Sequence, residues 1–197
     1  MSRLVAVAIV LAATSAFADN IPVPVAPPDL SDQGIGAELG VAAGGRVTPG
    51  GLRVEGHYLY QLSDRDWFDG TAGFTFGGGG AACFRDRSDT FICDHGLTQG
   101  DAVELSAGVR HFMTGQGQFW PFLSGGVGLR LVHFSGDAVT GLAIPLHAGG
   151  GIRASITNAV AVTVEGHLEL GFGAFNHTLG IQPQLGLAIT AGVEFRL

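Results

Sequence analysis

The sequence predicts an all-β fold, an eight-stranded antiparallel transmembrane β-barrel in which the strands follow one another in up-and-down meander order. The chain is 46% hydrophobic and only 14% charged, whereas soluble domains carry about 25% charged residues. After residue 18 no long apolar run occurs, and apolar residues instead alternate with small or polar ones. That alternation is the period of a strand with one apolar face, and a membrane-spanning barrel distributes its lipid-facing residues in this way.

The first 18 residues predict a secretory signal peptide. A basic residue, Arg3, precedes an apolar run over residues 4–13 and the small-residue triplet Ala16-Phe17-Ala18. The alternative is a membrane anchor, but a helix needs about 20 apolar residues to cross a bilayer. We therefore expect cleavage after Ala18, then a proline-rich extended tail over 19–33, and a barrel domain over 34–197.

Eight segments of the barrel domain have the alternating pattern. They are residues 34–43, 52–61, 67–77, 102–112, 120–132, 142–155, 159–170 and 184–197. Short links at 62–66, 113–119 and 156–158 alternate with longer ones at 44–51, 78–101, 133–141 and 171–182. We expect the proline-rich tail and the short links on the periplasmic side of the barrel and the longer loops on the outside. Four phenylalanines near that outer end are expected to face lipid as an aromatic girdle: Phe74, Phe76, Phe134 and Phe172.

Two stretches resemble a known family. The segment Trp120-Pro121-Phe122 runs into alternating glycines, and the last strand sets Val193, Phe195 and Leu197 on one face. Both are similar to the small eight-stranded outer-membrane barrels typified by the OmpA transmembrane domain, OmpX and opacity-type surface proteins. The family's last strand usually ends in phenylalanine, whereas this chain ends in Leu197.

The resemblance implies a monomer in the bacterial outer membrane. Its expected partners are outer-membrane lipid and lipopolysaccharide, the insertion machinery that reads the last strand, and extracellular or host ligands of the loops. It implies a structural or surface-interaction role. A net charge of −7 and the absence of lysine argue against nucleic acid as a partner.

Charged residues fall on the face of the strands that points into the barrel. A lipid-facing arginine at mid-membrane costs about 2 to 4 kcal/mol, so these side chains should point inward. The interior of an eight-stranded barrel is about wide enough for side chains to fill. We therefore predict a salt-bridge network that plugs the lumen, with a narrow pore as the alternative. The predicted network comprises Glu38, Arg53, Glu55, Glu104, Arg110, Arg130, Arg153, Glu165, Glu169, Glu194 and Arg196, and His57, His147 and His167 share its face.

Two cysteines, Cys83 and Cys93, lie in the longest predicted loop. In an exported protein such a pair favours a disulfide over a zinc site, although Asp94 and His95 lie beside it. We predict no metal and no cofactor.

An enzymatic alternative comes from lipid A deacylases, which resemble this fold and use a histidine and a serine on the lipid-facing surface. His133 and Ser135 have the required spacing, whereas the segment 175–178 does not. The sequence context of that motif is otherwise missing, so we predict that the protein is not an enzyme.

Overall fold

The computed structural model describes residues 32–80, 82–85, 91–94, 97–176 and 179–197, with side chains for all of these except 82–85 and 91–94. The strands are β1 Gln33–Gly44, β2 Gly51–Gln61, β3 Asp66–Gly77, β4 Ala82–Arg85, β5 Phe91–Asp94, β6 Gly100–Phe112, β7 Phe119–Phe134, β8 Val139–Ser155, β9 Val160–Phe175 and β10 Gly180–Arg196. No helix in the described part of the chain has the length and apolar character needed to cross a membrane. The predicted signal peptide and residues 19–31 of the predicted tail lie outside the described residues.

Eight strands form one closed antiparallel barrel in the ring order β1-β2-β3-β6-β7-β8-β9-β10. Each strand pairs with its sequence neighbour in the ring, and β10 closes the ring by pairing with β1 from Gly34↔Arg196 to Gly44↔Gly186. The predicted fold class is therefore confirmed. The small hairpin β4-β5 is separate from the barrel and lies in the link between β3 and β6.

The two faces of the barrel wall follow the alternation in the sequence. Apolar side chains such as Leu105 and Leu131 are exposed at the outside, while their polar neighbours are buried inside. Of the four predicted girdle residues, Phe74, Phe76 and Phe172 are exposed outward. The prediction for Phe134 is wrong. This residue lies an even number of positions after Arg130 on the same strand, so its side chain points to the same, inward side, and it is fully buried inside the barrel.

One wall of the barrel is longer than the other. Strands β7 to β10 contain 16 or 17 residues, against 11 to 13 in β1, β2, β3 and β6. A membrane-spanning strand needs about 9 to 11 residues. Residues 180–185 of β10 pair with β9 alone, beyond the point where pairing with β1 stops, so the extra length rises at the end of the barrel that carries the link 78–99.

This extension corrects the predicted loop lengths. The links 133–141 and 171–182 shrink to 135–138 and 176–179, because the flanking residues continue the strands. Among the links between the barrel strands given above, the link 78–99 is the long one. We call its end of the barrel the loop end, and we call the end with links 62–65, 113–118 and 156–159 the turn end.

Apolar side chains fill the lumen at both ends. At the loop end a buried cluster, here the loop-end seal, comprises Val47, Ala102, Val132, Phe134, Val139 and Phe175. At the turn end Phe122 is buried and packs against Phe112, with ring centres 5.6 Å apart, and Phe112 contacts Trp67. The charged part of the lumen lies between these two groups.

Candidate functional site: the charged lumen

The inward face of the strands gathers ten of the eleven predicted network residues in one group. The exception is Arg196, which lies at the turn end with its side chain 40% exposed and pairs with Asp32. Nine of the other ten divide into two clusters by their position along the barrel axis, and Glu38 lies between the clusters. Further buried or half-buried polar and charged residues that the network prediction did not include also face the lumen, among them Thr48, Asp69, Ser124, Thr163, Gln184, Thr190, Gln61, Thr71 and Thr75.

The loop-end cluster consists of Arg53, Arg130, Glu55, Glu104 and Glu169. Arg53 donates from Nε to Glu55 at 2.9 Å and from Nη1 to Glu169 Oε1 at 2.7 Å. Arg130 donates from Nε to Glu104 Oε2 at 2.7 Å and from Nη2 to Glu169 Oε2. Arg53 Nη2 also lies 3.7 Å from Glu104. Each arginine therefore contacts two carboxylates that the other also contacts.

The turn-end cluster consists of Arg110, Arg153, Asp69, Glu165 and Glu194. Arg110 is fully buried and contacts three carboxylates: Asp69 Oδ2 at 2.8 Å, Glu165 Oε2 at 3.4 Å, and Glu194. Arg153 is 27% exposed and donates from Nε to Glu194 Oε2 at 2.8 Å. This cluster is thus centred on a single guanidinium.

The aromatic ring of Phe122 packs against the guanidinium of Arg110. The Cζ atom of Arg110 lies 4.4 Å from the centre of the Phe122 ring, within the range of a cation–π contact. The aromatic group at the turn end therefore both closes the lumen and contacts its most buried charge.

Glu38 and His57 connect the two clusters. Glu38 accepts hydrogen bonds from the hydroxyls of Thr163, at 2.9 Å, and Thr190. The Nδ1 atom of His57 lies 3.0 Å from Asp69 Oδ1, and its Nε2 atom lies 3.9 Å from Glu38. Hydroxyl donors thus stabilise a carboxylate that no described arginine contacts.

Two glycines provide the space that the loop-end cluster occupies. A Cβ atom on Gly128 would lie 2.7 Å from Glu104 Oε1 and 3.0 Å from His147 Nε2, and one on Gly186 would lie 2.8 Å from Glu169 Oε2. Gly186 pairs directly with Glu169 across the β10-β9 ladder. Part of the high glycine content therefore admits long charged side chains into a narrow lumen.

The described lumen holds more carboxylates than arginines. Seven carboxylates, those of Glu38, Glu55, Asp69, Glu104, Glu165, Glu169 and Glu194, face four arginines, Arg53, Arg110, Arg130 and Arg153. Buried charges are stable only when opposite charge and hydrogen bonds compensate them. The remaining candidates for compensation inside the lumen are the three histidines, His57, His147 and His167.

All three histidines line one cavity of about 50 Å³ between the two clusters. The ring centres of His147 and His167 are 5.7 Å apart. Ligand atoms of His147, His167 and Glu169 all lie within 4.8 Å of one another, as do those of Glu38, Glu55 and His57. These two groups are therefore the places in the described lumen with the residue types that hold a metal ion.

The candidate catalytic pair is not assembled. His133 Nδ1 is hydrogen-bonded to Thr140 Oγ1 at 2.9 Å, whereas the Ser135 hydroxyl donates to Gln99 at 3.2 Å. Of the second candidate segment, residues 177 and 178 lie outside the described residues.

The predicted disulfide is not shown. The backbones of Cys83 and Cys93 lie directly opposite in the β4-β5 hairpin, but their side chains are outside the described set.

The predicted network omitted one central site residue, Asp69, which contacts both His57 and Arg110. The sequence contained a signal for it, because β3 points Phe68, Ala72 and Phe74 outward and position 69 has the opposite parity. Phe122 was detectable in the same way, since its neighbour Leu123 faces outward.

Comparison with solved structures finds the same architecture in outer-membrane proteins. Neisserial surface protein A is 11% identical over 84% of this chain and 96% of its own, with a TM-score of 0.58. The outer-membrane protein AlkL is 12% identical over 91% and 96%, with a TM-score of 0.56. A major outer membrane protein from Thermus thermophilus is 10% identical over 85% and 99%, with a TM-score of 0.55.

The sequence matches no protein-family model and no curated protein. At these identities the likeness concerns the fold alone. The chain has the fold of the small outer-membrane β-barrels, so the resemblance predicted from its sequence is confirmed at that level, and the outer membrane is where barrels of this fold are found.

Proposed function

We propose that the protein is a non-conducting, non-enzymatic barrel of the bacterial outer membrane with a structural or surface-interaction role. The observation that carries this proposal is the filled lumen. Two ion-pair clusters occupy the barrel interior, and apolar side chains cover them at the loop end and at the turn end.

The packing of this interior counts against a pore. Arg110 and Arg130 are at most 2% exposed, and both Glu104 and Glu169 are nearly as buried. Opening a water path would separate these charges from their partners and from the hydrogen bonds that offset their burial. A solute would also have to displace Phe134 and Phe175 of the loop-end seal.

The shape of the outside favours a surface role. The wall formed by β7 to β10 rises beyond the length that the membrane requires, and the link 78–99 adds the β4-β5 hairpin at the same end. We propose that this end faces the exterior and meets extracellular or host ligands. Outer-membrane lipid and lipopolysaccharide would surround the apolar belt, and the insertion machinery would act on β10.

The closed ring also supports a monomer, because the barrel leaves no strand edge for another copy to extend. The enzymatic alternative loses support because His133 and Ser135 bind different partners.

Planar-bilayer recording of purified, folded protein tests the proposal. We expect no steady single-channel conductance, because charged side chains fill the cross-section of the lumen. The variant Phe134→Ala is a matched control, since it opens the loop-end seal and leaves both charged clusters in place. We expect it to remain non-conducting as well.

Stable and reproducible conductance steps from the wild-type protein would overturn the proposal and favour a narrow pore. Steps from Phe134→Ala alone would assign the barrier to the apolar seal instead of to the ion pairs.

A further inference from the structure

Three side chains of neighbouring strands converge beside the lumen cavity. His147 comes from β8, and His167 and Glu169 come from β9, where they are two residues apart and so share the inward face. His147 pairs directly with Glu169 across the β8-β9 ladder. The ladder therefore fixes the positions of all three backbones.

Their spacing suits a common metal ion. Glu169 Oε1 lies 3.4 Å from His167 Nε2 and 3.8 Å from His147 Nδ1. Two ligands that are each about 2.1 Å from a tetrahedral ion lie about 3.4 Å apart. Small rotations of the rings would bring all three atoms to bonding distance of one ion.

A second observation points to a ligand. His167 is more than nine-tenths buried, and its Nε2 atom has no well-aligned hydrogen-bond partner among the described residues, although Glu169 Oε1 lies 3.4 Å away. A buried polar atom without an aligned partner has lost its hydrogen bonds to water and gained none in exchange. His167 lines the cavity and this nitrogen lies next to Glu169, so a ligand there would give it an aligned partner.

The neighbouring residues complete the arrangement. His147 Nε2 lies 2.6 Å from Glu104 Oε1, so this carboxylate can orient the ring while Nδ1 faces the ion. Such carboxylate partners are usual for metal-bound histidines. Arg53 donates to Glu169 Oε1, but a carboxylate oxygen has a second lone pair. Seven carboxylates against four arginines leave room in the lumen for up to three further positive charges, carried either by histidines or by a bound cation.

We propose that His147 Nδ1, His167 Nε2 and Glu169 Oε1 bind one divalent transition-metal ion of the zinc class. Two imidazoles with one carboxylate select such an ion over calcium or magnesium, which prefer oxygen ligands alone. The cavity beside the histidines gives room for a water molecule as the fourth ligand.

The other metal-capable group is less suitable. His57 is its single nitrogen donor, and the Nδ1 atom of that ring already contacts Asp69 at 3.0 Å. Glu38 is held by the hydroxyls of Thr163 and Thr190. His57 Nε2, like His167 Nε2, lacks a hydrogen-bond partner among the described residues, so the two groups differ in their nitrogen donors: this one offers a single imidazole, whereas His147 and His167 offer two.

Metal binding is tested on protein without a histidine tag, folded from urea into detergent in the presence of Zn²⁺ or Co²⁺. Folding with the metal present matters because the two ends of the lumen are closed. After removal of free metal we expect one bound ion per chain by elemental analysis. With Co²⁺ we expect the intense visible absorption of a four-coordinate site.

Variants assign the site. We expect His147→Gln and His167→Gln each to weaken binding at least tenfold, and Glu104→Gln to weaken it by about 10-fold as an orienting residue. His133→Gln, on the exposed face, and His57→Gln, in the other group, serve as controls that keep one bound ion. Faster migration of unheated samples on gels verifies that each variant is folded.

A measurement on wild-type protein tests the metal site even if a variant does not fold. With ¹⁵N-labelled histidine, Zn²⁺ should shift the imidazole signals of two residues and leave the others in place. No bound ion in the wild-type protein, binding unchanged in folded His167→Gln, or a stoichiometric loss of binding in His57→Gln would each overturn the proposal. These outcomes leave the conductance test of the proposed function unaffected.

Discussion

The two charged clusters of the lumen have the same numbers of arginines and carboxylates, but they differ in which arginine contacts which carboxylate. Each contains two arginines and three carboxylates. In the loop-end cluster Arg53 and Arg130 share Glu104 and Glu169, so each of these two carboxylates has two cationic neighbours. In the turn-end cluster all three carboxylates contact Arg110, and Arg153 contacts only Glu194. Equal charge ratios therefore do not imply equal dependence on each residue.

The largest effect should come from removing the shared centre of the turn-end cluster. We expect Arg110→Ala to lower the free energy of unfolding by about 3 to 5 kcal/mol, because it leaves three buried carboxylates without their common partner. Urea titration in lipid vesicles, followed by tryptophan fluorescence, measures this change.

Arg153→Ala is the matched control within the same cluster. Its side chain is 27% exposed and contacts one carboxylate, which Arg110 also contacts, so we expect a loss of about 1 kcal/mol or less. Equal losses for the two variants would show that the turn-end cluster is not centred on Arg110.

An intermediate effect on stability is expected from a substitution that fills the space occupied by side chains of the loop-end cluster. In Gly128→Ala the new methyl group would lie 2.7 Å from Glu104 Oε1, so we expect a loss of about 1 to 3 kcal/mol in the same assay. Gly56→Ala is the control, because its methyl group would meet no heavy atom closer than 4.0 Å. If Gly128→Ala were as stable as the wild-type protein, the lumen would be looser than the structure shows.

The smallest effect should come from removing one of the surplus carboxylates. Glu165 lies 3.4 Å from Arg110, which keeps Asp69 and Glu194 as closer partners. Glu165→Gln retains the shape and can still accept a hydrogen bond from Ser124, so we expect a change of less than about 1 kcal/mol. A loss as large as that of Arg110→Ala would contradict the excess of negative charge inferred for the lumen.

The fold and most of the lumen residues were predictable because side chains alternate between the two faces of each strand. Alternation of side chains between two faces is a local property, so a strand's apolar positions reveal its charged positions as the inward set. Asp69 and Phe134 obey this rule, so the inward orientation of both side chains follows from their positions in β3 and β7. The partner of each charge was not predictable, because it depends on how far neighbouring strands are staggered.

The main error of the prediction was that several strands were too short, and it arose because strand formation is cooperative. Gly180 and Ile181 look like loop residues in isolation, yet each pairs with a residue of β9. Hydrogen bonding to a neighbour that is already extended stabilises residues that have no strand signal of their own. Arg196 shows the converse, since its parity is correct but its position at the turn end gives it Asp32 as a partner in place of the network.

The pairing of β1 with β10 has a consequence for how the molecule assembles. Gly34 and Arg196 are neighbours in space but stand at opposite ends of the barrel sequence, so the final ladder carries the largest loop-closure entropy in the protein. A sheet of seven strands would present two open edges, whose backbone groups hydrocarbon cannot hydrogen-bond. Stable residence in lipid is therefore gained in one late step, when the first and last strands meet, and until then the chain needs an aqueous or assisted environment.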